Sequence, residues 1–226
     1  MNSVNAETAK PDLARLYQDT QARLAALAAG LDAVALATPV PACPGWSVRD
    51  VVAHELATSE DALAGRLTGP PSDEQTAAQV ARFAGHDMAD MLATWAQTTP
   101  QFAGIIAAFD VWPAVIDVVS HEQDIRGAIG QPGERHSEVV RIAAGAVLSV
   151  LSPPVRMRVT VEDAEFLVGP DEGPELGLAT TRFEALRWRL GRRSRAQMAA
   201  LQWSGDPAPV LGHLAIFGPA TADLVE

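Results

Sequence analysis

CPGWSVRDVVAHELA, residues 43–57, packs a proline–glycine loop, a helix start and a histidine into a short span. Ser47 opens the helix and Asp50 follows three residues on, the capping-box pattern that satisfies two backbone N–H groups at a helix start. Val48, Val51, Val52 and Leu56 then recur at helical spacing. This helix is expected to run to about Leu67 and to end at TGPP, residues 68–71. A second informative helix is expected over 112–129. Pro113 sits in its first turn, where a missing N–H costs nothing, and Gly130 stops it before QPG. Within it, DVVSHEQDIRGAIG (117–130) places Asp117 one turn before His121. The two share a face, with Cβ atoms about 5–6 Å apart. If His54 faces them across a helix bundle, two imidazoles and one carboxylate form a divalent-metal pocket with an open position. His86 and Asp90 have the same spacing on a neighbouring predicted helix, so spacing alone leaves both pairs open.

Working outward, residues 11–31 place Leu13, Leu16, Leu24, Leu27 and Leu31 at helical spacing. ATPVPACPGW, with three prolines, reads as a structured loop. A third helix is expected over 74–98, carrying Val80, Phe83, Met88, Met91, Leu92 and Trp95, with Pro100 just beyond its end. Four helices with mostly short connections predict an antiparallel bundle. After Ser137 the pattern changes. Residues 137–151 read as a helix broken by Pro153 and Pro154. Val155, Met157, Val159 and Val161 then alternate with Arg156, Arg158, Thr160 and Glu162, predicting a strand and a hairpin turn near 162–164. PDEGPELGL is expected to be loop, and 181–201 helix interrupted by Gly191. The predicted organisation is a helical bundle over 1–135 and a small α+β domain over 136–226.

At 226 residues and 48% apolar content, the chain can bury a substantial core. Mean hydropathy is close to zero and no apolar run is long enough to span a bilayer, so no membrane partner is expected. The opening MNSVNAETAKPDLARLYQ lacks a basic start followed by an apolar run, so no secretory signal is expected. A lone cysteine, Cys43, excludes an intramolecular disulfide and fits a reducing cytoplasm. A net charge of −11 disfavours nucleic acid. Arginine outnumbers lysine 16 to 1, a bias of GC-rich bacterial genomes. Arg182, Arg187, Arg189, Arg192, Arg193 and Arg195 cluster near the end. Most read as a solvated face. Arg192 and Arg193, next to the helix-breaking Gly191, are the candidates for binding an anionic group of a substrate or cofactor, since guanidinium suits carboxylate recognition.

CPGWSVRDVVAHELA resembles a signature of the mycothiol-dependent maleylpyruvate isomerase family, within the wider DinB-like metalloenzymes. HEQDIRGAIG (121–130) is similar to the family's second signature, and GRRSRAQMAALQWSGDP (191–207) resembles its C-terminal pattern. The three stand in the family's order and cover nearly the whole chain. The resemblance implies a mainly α fold: a DinB-like four-helix bundle followed by a small α+β domain similar to sterol-carrier protein type 2. In that family the histidine closing the first signature and the one opening the second bind a divalent metal, usually zinc. Here these are His54 and His121. A glutamate four residues before the second histidine completes the family's site. Asp117 stands there instead, one methylene shorter. Glu122 points about 100° away around the helix and is a poor substitute. Asp124, one turn after His121, either orients the imidazole or pairs with a nearby arginine.

Two functions follow from the resemblance and the residues. In the first, His54, Asp117 and His121 hold a divalent ion, and mycothiol supplies a thiolate to a small electrophilic substrate, giving transfer or isomerisation. Cys43 is not needed for this chemistry and reads as a small hydrophobe. In the second, the bundle has lost its metal, and the protein binds a small ligand or a partner without catalysis. The oligomeric state is not legible in the sequence.

Overall fold

A computed structural model describes residues 10–67 and 69–226. Residues 1–9, on which much of the secretory-signal reading falls, and Thr68 of TGPP lie outside the described residues. The bundle consists of α1 (Leu13–Ala29), α3 (Val48–Leu63), α5 (Met88–Phe109) and α6 (Trp112–Ala128). Each of α1 and α3 packs against both α5 and α6. Two short helices, α2 (Ala33–Leu36) and α4 (Asp73–Arg82), sit in the connections. Leu13, Leu16, Leu24, Val51, Val52, Leu56, Trp95, Ile106, Val115 and Val118 fill the interior.

The expected helix over 74–98 is corrected to two. α4 stops at Arg82 and α5 starts at Met88, because the intervening turn is fixed from outside: the Arg49 guanidinium donates to the carbonyls of Phe83 and His86. Pro100, expected beyond a helix end, lies inside α5. The buried side chains beyond it, Phe102, Ala103 and Ile106, hold the helix on course. α3 ends at Leu63, short of Leu67, because Gly65 takes a left-handed conformation (φ +66°) and the Gly65 and Arg66 N–H groups bond back to the Ala62 and Asp61 carbonyls.

α6 is unusual. From Val118 to Ile125 every residue is buried, polar ones included. It is covered on one side by the bundle and on the other by the second half of the chain. Each charge on it is therefore paired: Glu122 accepts from Arg23 of α1 and from Arg126, while Asp124 faces arginines from beyond residue 180.

The second half contains α7 (Glu138–Ser149), β1 (Met157–Val161), β2 (Ala164–Val168), β3 (Leu176–Ala179), α8 (Arg182–Arg189), α9 (Arg195–Ala199) and β4 (Gln202–Trp203). The sheet order is β2-β1-β3-β4. The predicted hairpin is present, with Met157 opposite Val168 and Val161 opposite Ala164. β3 lies in the stretch expected to be loop. It pairs parallel with β1, Met157 beside Leu176, and antiparallel with β4, Leu178 opposite Trp203, and only those tertiary pairings make a strand of LGLA. Met157, Val159, Leu178 and Trp188 form a second apolar cluster under the sheet. α7 and α8 feed both clusters: Val140 and Leu186 face the bundle, Leu148 and Trp188 the sheet. After α8 the chain turns at Gly191, with φ +79°, where a Cβ would lie 2.5 Å from the Gly218 carbonyl oxygen. Only glycine fits, and the turn carries Arg192 back toward α6. Among the described residues, no helix is long and apolar enough to cross a membrane.

Candidate metal centre

α3 begins where the sequence predicts. The Ser47 hydroxyl accepts from the Asp50 N–H, and the Asp50 carboxylate accepts from the Ser47 N–H. Two turns along, His54 points into the gap between α3 and α6 and is 4% exposed. On α6, Asp117 and His121 face the same gap. The two imidazole rings are 5.3 Å apart, nearly perpendicular. Asp117 lies between them, with one carboxylate oxygen 3.7 Å from His54 Nε2 and the other 3.5 Å from His121 Nε2. A tetrahedral ion with bonds of about 2.0–2.1 Å separates its ligand atoms by roughly 3.3–3.4 Å. One ligand atom from each of the three side chains lies within 4.8 Å of the other two, so the group could hold a divalent ion.

The far side of each ring is anchored. His54 Nδ1 is 2.9 Å from Gln79 Oε1, and His121 Nδ1 is 3.0 Å from Asp124 Oδ2. Both Nε2 atoms are left to converge on Asp117. This is the arrangement of metal-binding histidines, where an outer partner fixes the ring and its tautomer. Burial works against a charge on Asp117, but the two imidazoles and Arg192 outweigh it and draw its carboxyl down to about 2.

Cys43, His121 and Asp124 form a second cluster of metal-ligating atoms, with Sγ 3.7 Å from His121 Nδ1 and 3.5 Å from Asp124. It is the poorer candidate. Asp124 already takes His121 Nδ1 and is held by Arg187 at 2.6 Å and Arg192 at 2.9 Å. Burial opposes its charge, but the arginines and His121 hold its carboxyl well below the usual carboxylate range. Burial, followed by the Asp124 charge, pushes the Cys43 thiol up, away from the thiolate a metal needs. Both sequence readings of Asp124 hold together: it orients an imidazole and pairs with arginine.

Of the two arginines singled out in the sequence, Arg192 reaches the centre through Asp124. Arg193 turns away, to Glu184 at 2.6 Å and Glu226 at 3.0 Å. Glu122 is turned about 100° away around α6, to Arg23 of α1. His86 is exposed in the α4–α5 turn, off any helix, and Asp90 is exposed on α5, so the competing pair forms no site. Trp46 stacks obliquely 5.0 Å from the His54 ring. A cavity of about 380 Å³, lined by Pro154, Arg156, Pro174, Glu175 and Pro209 among others, shares no residue with the centre. Sequence reasoning missed Gln79 and Asp61, and read most of the arginine cluster as a solvated face, whereas Arg187 and Arg189 are buried. Only the spacing of His54 and Asp61, seven residues apart and so on one face of α3, hinted at the first two.

The fold and the centre define a class: a four-helix bundle with two outer-anchored imidazoles and a carboxylate converging between two helices, backed by an α+β unit. The profile of the mycothiol maleylpyruvate isomerase N-terminal domain matches residues 17–129, half of the chain, and the protein belongs to that family. Similar solved structures include the crystal structure of the mycothiol-dependent maleylpyruvate isomerase, with a TM-score of 0.55 at 12% identity over 86% of this chain and 93% of that one. A histidine-to-alanine mutant of that isomerase gives 0.53 at 11% over the same shares. At such identities the likeness establishes a shared fold. No protein of curated function matches significantly.

Proposed function

We propose that this protein is a divalent-metal- and thiol-dependent enzyme, an isomerase or S-transferase for a small electrophilic substrate, with mycothiol as its thiol. Family membership and the three-donor centre support this together. The observation that carries it is the convergence of both Nε2 atoms on Asp117 while both Nδ1 atoms are tied elsewhere. His54, Asp117 and His121 are the ligands, and two imidazoles with one carboxylate suit zinc. A divalent ion held there would favour the thiolate form of a bound thiol, the nucleophile for addition to an electrophilic carbon.

The chain's own residues do the rest. Gln79 and Asp124 orient the rings, and Trp46 shields one of them from water. Arg192, with its side chain 16% exposed beside the centre, supplies positive charge for a carboxylate of the substrate or thiol. Arg193, turned to Glu184 and Glu226, is left out of that role. Residues 1–135 act as the metal-binding domain. Residues 136–226 act as a cover akin to sterol-carrier protein type 2, and interfaces of this kind favour small-molecule sites.

Elemental analysis of protein purified without a histidine tag tests the centre. One divalent ion per chain is expected, and it is lost in His54→Ala and in His121→Ala. Absence of metal even after incubation with zinc overturns the enzymatic reading in favour of a metal-free binding module. With metal bound, conjugation of a generic electrophile is expected to run faster with mycothiol than with glutathione or no thiol. Equal rates overturn the cofactor assignment.

A further inference from the structure

We propose that Gln79 is a positioning residue for the metal centre: it fixes which nitrogen of His54 carries the proton, and Asp61 fixes which way Gln79 faces. This rests on the reading of His54 as a ligand.

The hydrogen-bond chain runs inward from the surface. Arg66 and Arg82 donate to Asp61 Oδ1 at 2.6 and 2.7 Å. Burial opposes a charge on Asp61, but the Gln79 amide and the two guanidiniums prevail and hold its carboxyl below the usual range. As a carboxylate, Asp61 can only accept hydrogen bonds. Its second oxygen lies 2.8 Å from Gln79 Nε2, so the NH2 end of the amide belongs there. The carbonyl end, Oε1, is then left facing His54 Nδ1 at 2.9 Å. A carbonyl also only accepts, so Nδ1 carries the hydrogen and Nε2 keeps its lone pair. That lone pair faces Asp117.

Flipping the amide would set carbonyl against carboxylate at hydrogen-bond distance and NH2 against the ring. Water has little room to rescue such a mismatch: Gln79 is 1% exposed. His54 and Asp61 stand two turns apart on α3, and Gln79 of α4 spans them. The short helix α4 therefore has a task in this centre although none of its residues touches the proposed ion. The two rings also differ in backing: His121 donates to a carboxylate, His54 to a neutral amide. Charge donation into the centre is accordingly uneven, stronger through His121.

Long-range 15N–1H NMR of the metal-free protein at about pH 8.5, above the usual imidazole range, reads the tautomer directly. The expected result is His54 with its proton on Nδ1. In Gln79→Met, which offers no acceptor, the proton is expected to move to Nε2, and zinc affinity measured against a competing chelator to fall about 10- to 100-fold. The exchange Asp61→Asn with Gln79→Glu restores an acceptor at His54 and a donor at position 61, and is expected to recover both the tautomer and the affinity. Wild-type His54 protonated on Nε2 overturns the proposal even if Gln79→Met does not fold. So does an unchanged tautomer in Gln79→Met. Failure to bind zinc with the Nδ1 proton in place defeats the enzymatic reading and leaves the relay standing; zinc binding with the proton on Nε2 does the reverse.

Discussion

Glu55 follows His54 on α3, is 2% exposed, and has one carboxyl oxygen without a hydrogen-bond partner among the described residues. Burial above all, then the charges of Asp117 and Asp124, raise its carboxyl well above the usual range. The folded state thus binds the Glu55 proton more tightly than the unfolded state. The resulting stability is fully present below the unfolded value, near about 4.3, and is lost as pH climbs toward the raised folded value. Replacing the group by an apolar one of similar length removes that loss. Glu55→Met is therefore expected to stabilise the metal-free protein, and by more at pH 8 than at pH 5, with a slope of up to about 1.4 kcal/mol per pH unit. Urea denaturation at both pH values checks it. A gain independent of pH would show that folding does not protonate Glu55. Asp117 illustrates the limit of residue-level reading. Its identity and its face are legible in DVVSH, but whether a carboxylate one methylene shorter reaches both imidazoles depends on the distance between α3 and α6, which no residue states.

At the scale of elements, the capping box and the apolar rows made α1, α3 and α6 legible, because their signals are local. α5 was misread for a physical reason. Pro100 removes the N–H that would bond to the Ala96 carbonyl and crowds that turn, which is a stop signal in isolation. Here Trp95 on one side and Phe102 and Ile106 on the other are buried in the same core, and their burial outweighs the local cost. Ala96 is exposed, so water can satisfy its carbonyl. Pro100→Ala is expected to stabilise the protein by about 1–3 kcal/mol, read as a higher denaturant midpoint at unchanged slope. A loss of stability would overturn the reading of Pro100 as a local cost that the core outweighs. β3 was missed for the converse reason: LGLA has little strand character of its own and gains it by pairing with β1 on one side and β4 on the other.

For the whole molecule, the joint between the halves runs beside the candidate metal centre. Arg187 of α8 is fully buried and donates to Asp124 and to the Ser120 carbonyl, both on α6. Asp124 in turn holds His121. A ligand that orders His121 therefore also tightens the contact with α8. Zinc at 100 times its dissociation constant should add about 2.7 kcal/mol to stability. We expect amide hydrogen exchange in α8 to slow together with that in α3 and α6. Slowing confined to α3 and α6 would show that the halves are energetically independent. The sequence by itself determined the helical class, the hairpin, the two histidines and the shared face of Asp117 and His121, because each follows from spacing along one element. Tertiary structure decided which of two His–Asp pairs meets a second histidine, that Asp117 lies between the two rings, and that Gln79, Asp61 and Arg187 stand behind them. Those outcomes depend on how far apart separate elements come to rest, and that distance is set by the packing of the entire core.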